Sequence, residues 1–545
     1  MTQDGLGYEG APDEQVGAWE CPPESVAFDE AGIQARLLAL GQPCFAVREG
    51  GRIGLSNEGH RVASGQPGDG PTETLAWTQS LPIERLGDGA FRKAYRTRFS
   101  YYAGAMANGI ASEEMVIALG REGFLGSFGA AGLVPARVQE AIARIQAALP
   151  EGPYAFNLIH SPNEPALERE GVELYLTHGV RSVESAAYLD LTPHVVRYRV
   201  AGLGLNQQNQ IEIKNRIIAK VSRKEVATKF MEPPPPRLLQ PLLEQGLITE
   251  EQANLSQKVP MADDITAEAD SAGHTDNRPM LALLPSILAL RDELQEKHGY
   301  AQTVRVGAAG GIGTPTAALA AFVMGAAYVV TGSVNQSCVE SGASEHTKRL
   351  LGEADMADVI MAPAADMFEM GVKLQVLKRG TLFPMRAQKL YDLYAQYDSI
   401  DEIPAKEREK LEKQTFRSSL EEIWESTASY FAERDPSQIE RAATRPKRKM
   451  ALVFRWYLGL SSNWSNEGTA GREMDYQVWC GPSMGAFNAW VRNSCLEEVS
   501  NRKVADVARQ ILTGAAFGYR VQNLVTQGVR FSPACSSYQP RPMDT

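Results

Sequence analysis

The chain reads as an α/β protein, a TIM (β/α)8 barrel with an inserted helical hairpin, followed by a C-terminal helical domain. Three observations predict it. From Phe99 onward, short apolar strands alternate with helical stretches, the texture of a parallel sheet built from βα units. The run from Val304 to Thr314 (VRVGAAGGIGT) ends a β-branched strand in Gly310 and Gly311, where missing Cβ atoms let the backbone approach an anion and adopt positive φ. A further strand at residues 327–330 then brings Gly332 and Ser333 to the same end of the sheet. Two adjacent strand ends sharing one phosphate is what a TIM barrel builds after its seventh and eighth strands.

Taken in order, residues 1–95 are rich in Gly, Pro and acidic side chains, with short candidate strands such as 44–48, and read as a small irregular cap. The barrel is expected over 96–395. Its eight strands are expected at 99–103, 124–128, 155–159, 182–185, 217–221, 265–268, 304–308 and 327–330. Residues 195–200 are expected to form a further strand pairing with Glu212 and Ile213 across a polar turn, a hairpin inserted near 195–214. Four prolines at 233–236 stop a helix, and 238–245 and 249–255 around Gly246 read as an inserted helical hairpin within 233–258. Such insertions are expected in βα loops, above the active face. Residues 396–545 are read as the helical domain, with Trp456, Trp464, Trp479 and Trp490 fastening it to the barrel.

Composition bounds the possibilities. A chain of 545 residues exceeds one ordinary core, and its 43% hydrophobic and 22% charged residues are globular values. A net charge of -11 disfavours nucleic acid as a general partner. Six cysteines without a C-x-x-C pair, and a start lacking a basic, apolar leader, predict a reduced, cytoplasmic protein. The longest apolar run, residues 317–330, contains Gly325 and is shorter than the ~18 residues a membrane span needs. No membrane association is expected.

Thr314 and Pro315 suit the cap and first turn of a helix over 316–324, whose unpaired N–H groups would point at whatever the glycines hold. A dinucleotide turn is the rival reading of Gly311-Ile-Gly313. Against it, Thr316 stands where a third glycine belongs, no acidic residue closes the next strand, and several strands precede the element. A merely structural tight turn also remains open.

His274 follows the sixth strand, where a barrel presents its catalytic loops, and an imidazole there can donate a hydrogen bond or a proton near neutral pH. Gly104, Ala105 and Met106 at the first strand's end are small or apolar and suit a flat ring lying against the backbone. Asn157, inside an apolar run, needs a polar partner that the edge of such a ring would supply. Lys220, a cation within the fifth strand, could face a bound anion or snorkel to the rim. No H-E-x-x-H or P-loop is present, and no metal is expected.

Together Asp270-x-x-Gly273-His274, Gly310-Gly311-Ile312 and Thr331-Gly332-Ser333 resemble the flavin-binding motifs of nitronate monooxygenases and FMN-dependent enoyl-ACP reductases. The usual E-x-G-G-H is altered here, with Asp270 for Glu and Ala272 for the first Gly. Residues 271–279, 361–371, 377–381 and 450–459 resemble more narrowly the PfaD family of trans-acting enoyl reductases, over about Phe91 to Gly528. This resemblance implies FMN bound by Gly104, Ala105, Met106, Asn157, Lys220, Gly273, His274, Gly310, Gly311, Gly332 and Ser333. It implies NADPH as hydride donor, an enoyl thioester on acyl carrier protein as substrate, and a polyketide or polyunsaturated fatty acid synthase as the system served. His274 is the expected catalytic residue and Lys220 the second. A homodimer is what the family suggests. Residues 445–449 and Lys378 with Arg379 are candidate landing places for the acidic carrier. A nitronate monooxygenase-like oxidase and a non-catalytic flavin-holding protein of a synthase are the alternatives.

Overall fold

Eight strands pair in parallel and close on themselves: β1 Tyr101–Ala103, β2 Leu125–Phe128, β3 Ala155–Ile159, β4 Ser182–Ala186, β5 Arg216–Val221, β6 Asp264–Glu268, β7 Arg305–Ala309 and β8 Val329–Thr331. Each lies within two residues of its expected span. This is a computed structural model, and it describes residues 6–8, 19–61, 72–160 and 165–542. The remaining parts of the expected cap, including the chain start at 1–5, lie outside the described residues.

The barrel is filled from below. In the helix Gly89–Tyr95, Phe91 and Tyr95 enter the N-terminal mouth, and Phe91 stacks on Tyr328 at 4.3 Å between ring centroids. Gly307 makes room, because a Cβ there would lie 2.2 Å from the Tyr328 ring. At the same end Arg305 binds Asp264 through two hydrogen bonds of 2.7 and 2.6 Å, and the Tyr95 hydroxyl donates to Asp264 at 2.5 Å.

The eighth place in the outer ring is filled from far downstream. The helix Val504–Thr526 packs against both Pro315–Val323, which follows β7, and Glu113–Arg121, which follows β1. Its Val507, Ile511, Leu512 and Ala515 belong to the barrel's core. Gly514 permits the approach, since a Cβ there would meet Pro315 at 2.5 Å. The other side of this helix carries Phe517, Val521 and Leu524 into a core shared with an N-terminal antiparallel sheet. That sheet, in the order Arg52–Ser56, Cys44–Glu49, Thr72–Thr78, pairs three antiparallel strands inside the expected cap, with a register shift between Ala46 and Val47. Arg520, fully buried, binds five carbonyls between Arg36 and Gln42 and so closes the end of the helix Glu30–Leu38.

Between β8 and that helix the chain builds a second core from Ala362, Phe368, Phe383, Leu390, Phe416, Met450 and Phe454 among others, so packing there begins well before residue 396. Trp464 touches both cores, Trp456 and Trp479 the second, and Trp490 the first.

Two expectations are corrected. Residues 195–200 are not a strand but lie in the helix Pro193–Ala201, because the Thr192 side chain caps Val195 N at 3.3 Å and Pro193 opens the first turn. Local capping outweighs the β-branched composition. The small hairpin is instead Leu203–Leu205 with Ile211–Ile213. Both insertions also sit at the N-terminal end of the barrel rather than above its C-terminal face. Each follows the helix that has already returned the chain, and the base of the helical hairpin, Pro236–Glu244 and Glu250–Ser256, is pinned beside the start of β6 by Met261 N to Glu232 O at 3.0 Å.

Candidate active site

The C-terminal ends of β7 and β8 lie side by side, with Ala308 opposite Val329 and Ala309 opposite Val330. Gly310 turns at φ +80°, and a Cβ on it would lie 2.6 Å from the Ala269 carbonyl carbon, so the β7 loop rests on the β6 loop. Gly311 follows at φ +75° and is exposed. Thr314 caps Pro315–Val323 by accepting from Ala317 N at 3.3 Å, as its sequence position indicated. Gly332 opens the short helix Ser333–Gln336, and nothing lies within 4 Å of the place its Cβ would take. The cradle has a third wall that the sequence did not announce. Gly481 N donates to Ser333 Oγ at 3.0 Å, and Ser483 O stands 2.4 Å from the Cβ position of Gly313.

His274 reaches the same face on a two-residue strand, Gly273–His274, which pairs antiparallel with Lys373–Leu377, itself paired to Val359–Pro363. Gly273 takes φ +73° at the entrance. His274 Nε2 contacts Asp366 Oδ1 at 3.1 Å. Partial burial opposes the imidazolium, but the Asp366 hydrogen bond and charge, with Glu268, outweigh it and raise the histidine above its usual value. Asp270 steadies the loop by accepting from Asn277 Nδ2 at 2.8 Å and Gln375 Nε2 at 3.0 Å. Asp276 binds Arg223, whose hydrogen bonds hold its carboxyl at about 2.

Lys220 stands inside the barrel near the C-terminal mouth. Its Nζ lies 3.2 Å from Glu268 Oε1 and 3.7 Å from Glu184 Oε1. Desolvation disfavours the ammonium, yet the two carboxylates raise its pKa above the usual lysine value. Glu184 Oε2 accepts from Ala105 N at 2.8 Å and from the Tyr102 hydroxyl. Gly104 N bonds Thr331 O at 3.1 Å, and the Met106 carbonyl packs so closely on Gly129 that no side chain fits there. Asn157 is buried in β3, but its amide already donates to Glu184 O at 3.2 Å, which answers part of its need for a polar partner within the protein.

The structure thus brings the ends of β1, β5, β6, β7 and β8 to one mouth. The open Gly332 position, the positive-φ glycines and a helix N-terminus beside them suit a phosphate, while Lys220 brings an ammonium and His274 an imidazole to the same face. Sequence reading missed Glu184, Glu268, Asp366, Gln375 and Gly481. A glutamate in the middle of the buried strand at 182–186 was a signal of the same kind as Lys220.

Of the cationic candidates, Lys447 contacts Asp398 at 3.0 Å, Arg448 binds Glu369, and Lys449 lies 5.0 Å from the Trp424 ring centroid, all in or beside the first turn of Pro446–Glu467. Arg379 pairs with Asp358 at 3.6 Å.

Residues 19–80 match the family model of the fatty acid synthase subunit PfaD N-terminal domain, and 397–476 match the inserted helical domain of [acyl-carrier-protein] S-malonyltransferase. The chain is 48% identical over 510 residues to a polyunsaturated fatty acid synthase protein of Thraustochytrium, covering 92% of this chain and 33% of that protein. It is 46% identical over 437 residues to polyketide biosynthesis protein PksE of Bacillus subtilis, covering 80% of this chain and 57% of that protein. It therefore spans a third of the first relative and somewhat over half of the second. Among solved structures, the enoyl reductase domain of MlnA from the macrolactin cluster of Bacillus amyloliquefaciens is 40% identical with a TM-score of 0.78, covering 82% of this chain and 100% of that one.

Proposed function

Because the chain belongs to the PfaD-like enoyl reductase family, we propose that it reduces the 2,3-double bond of an enoyl thioester carried on acyl carrier protein, using FMN and NADPH, for a polyketide or polyunsaturated fatty acid synthase. The observation that carries this reading is the single barrel mouth shared by the glycine cradle, Lys220 and the His274–Asp366 pair.

The residues fit FMN. Gly310, Gly311, Gly332 and Ser333 would take its phosphate, and Gly104, Ala105, Met106, Asn157, Lys220 and Gly273 would border its ring system. FMN, when bound, supplies a carrier that accepts hydride from a nicotinamide and delivers it to the β-carbon of the enoyl thioester. Positioning is the protein's task. Asp366 engages His274 at Nε2, which leaves Nδ1 to donate to the thioester oxygen or to protonate the α-carbon. Lys220, held between Glu184 and Glu268, is fixed in place at the mouth. The carrier is acidic as a class, and Lys378 with Arg379, in the turn that follows the strand Lys373–Leu377 paired with His274, is our choice for its landing place.

Anaerobic addition of NADPH to FMN-loaded protein should bleach the flavin absorbance, and a crotonyl carrier protein should restore it. Restoration by a nitroalkane with oxygen, and not by the enoyl thioester, would contradict this reading in favour of an oxidase.

A further inference from the structure

We propose that Glu184 is a positioning residue that, through Lys220, sets the charge of the barrel mouth and thereby lowers the reduction potential of the bound cofactor; this rests on the FMN reading above.

Glu184 is 1% exposed, in the middle of β4. Among the described residues, the polar groups that contact its carboxylate are two donors and a cation. Its Oε2 takes the Ala105 N–H at 2.8 Å and the Tyr102 hydroxyl, and burial keeps that phenol protonated. Among the described residues its Oε1 accepts no hydrogen bond, yet it stands 3.7 Å from Lys220 Nζ. A glutamine would satisfy Ala105 equally well, because an amide oxygen accepts the same hydrogen bond. The property of a carboxylate that glutamine lacks is charge, and the partner that responds to charge is Lys220.

Burying an ionised carboxylate is costly unless a counter-charge lies close. Here one ammonium is shared by two carboxylates, since Glu268 Oε1 lies 3.2 Å away on the other side. With both carboxylates ionised, the trio carries a net single negative charge rather than the positive charge that Lys220 alone would present. A negative site disfavours adding electrons to a molecule held above it. Glu184 therefore opposes reduction, and Lys220 favours it.

The two residues predict opposite signs. In the FMN-loaded protein, Glu184→Gln should shift the midpoint potential of bound FMN to a more positive value, by at least about tenfold in the ratio of affinities for reduced and oxidised FMN, ~30 mV for a two-electron couple. Lys220→Met should shift it the other way. The double variant, again with one net negative charge, should return near the wild-type value. Glu268→Gln, on the more exposed side of the lysine, should move it in the same direction as Glu184→Gln, and it carries the test should Glu184→Gln not fold. An unchanged or more negative potential in the glutamine variants, or shifts of one sign for Glu268→Gln and Lys220→Met, overturns the proposal. If the wild-type protein holds no FMN, the cofactor reading falls and this inference with it; if it holds FMN but the potentials do not move, only this inference falls.

Discussion

Gly481 N donates to Ser333 Oγ at 3.0 Å, joining the β8 end of the cradle to a segment 148 residues further along the chain. The glycine loops are thus closed from above by the part of the chain that leads into the helix Ser483–Val491. Gly313→Ala would place a Cβ 2.4 Å from Ser483 O and push this wall away. The variant should release FMN at least tenfold faster than wild type in a dilution experiment, whereas an unchanged release rate would deny the segment any part in the cradle.

Gly310 and Gly332 separate structure from binding. Gly310→Ala forces a side chain into a left-handed conformation and against Ala269, a strain of about 1–3 kcal/mol before the clash is counted. Its melting temperature should fall with or without FMN. Gly332→Ala meets no protein atom within 4 Å, so the cofactor-free protein should melt as wild type does while FMN affinity drops.

The His274–Asp366 pair sets a pH dependence. With the histidine raised, its share of stability is complete below pH 6.5 and is lost as pH rises through the raised value. Asp366 is drawn down, its burial being outweighed by the His274 hydrogen bond, so its share is present above 3.8 and lost as pH falls further. Both side chains are about half exposed, which limits the stability effect to under about 1 kcal/mol. Asp366→Asn should therefore show itself in the rate, moving the alkaline limb of enoyl turnover to lower pH. His274→Ala should retain FMN and slow turnover by about 10²–10⁴-fold. A rate profile unchanged by both substitutions would remove the pair from the chemistry.

At the opposite end, Asp264→Ala leaves Arg305 buried without its carboxylate, with side chains that are 0% and 9% exposed in the native pair. Breaking a buried pair from one side costs about 3–5 kcal/mol. Denaturant unfolding should show that loss, while the potential of bound FMN should stay where it is.

The strands were legible because each is a short apolar run whose own residues favour extended backbone, and the cradle because Gly310, Thr314 and Pro315 act locally. What was hidden depends on distance along the chain. His274 and Asp366 are 92 residues apart, and Val504–Thr526 completes the outer ring far downstream of β8. Residues 195–200 misled because valine content suggests a strand, while Thr192 and Pro193 decide for a helix. The insertions were assigned to the wrong face because only the order of helix and insert fixes which end of the barrel they reach.

The most direct measurement is the mass of the acyl group on carrier protein after incubation with the FMN-loaded enzyme and NADPH without oxygen. Crotonyl carrier should be converted to butyryl carrier, a gain of two hydrogens, in step with NADPH consumed. A crotonyl group left intact while FMN is bound and NADPH is oxidised only when oxygen is admitted would contradict it.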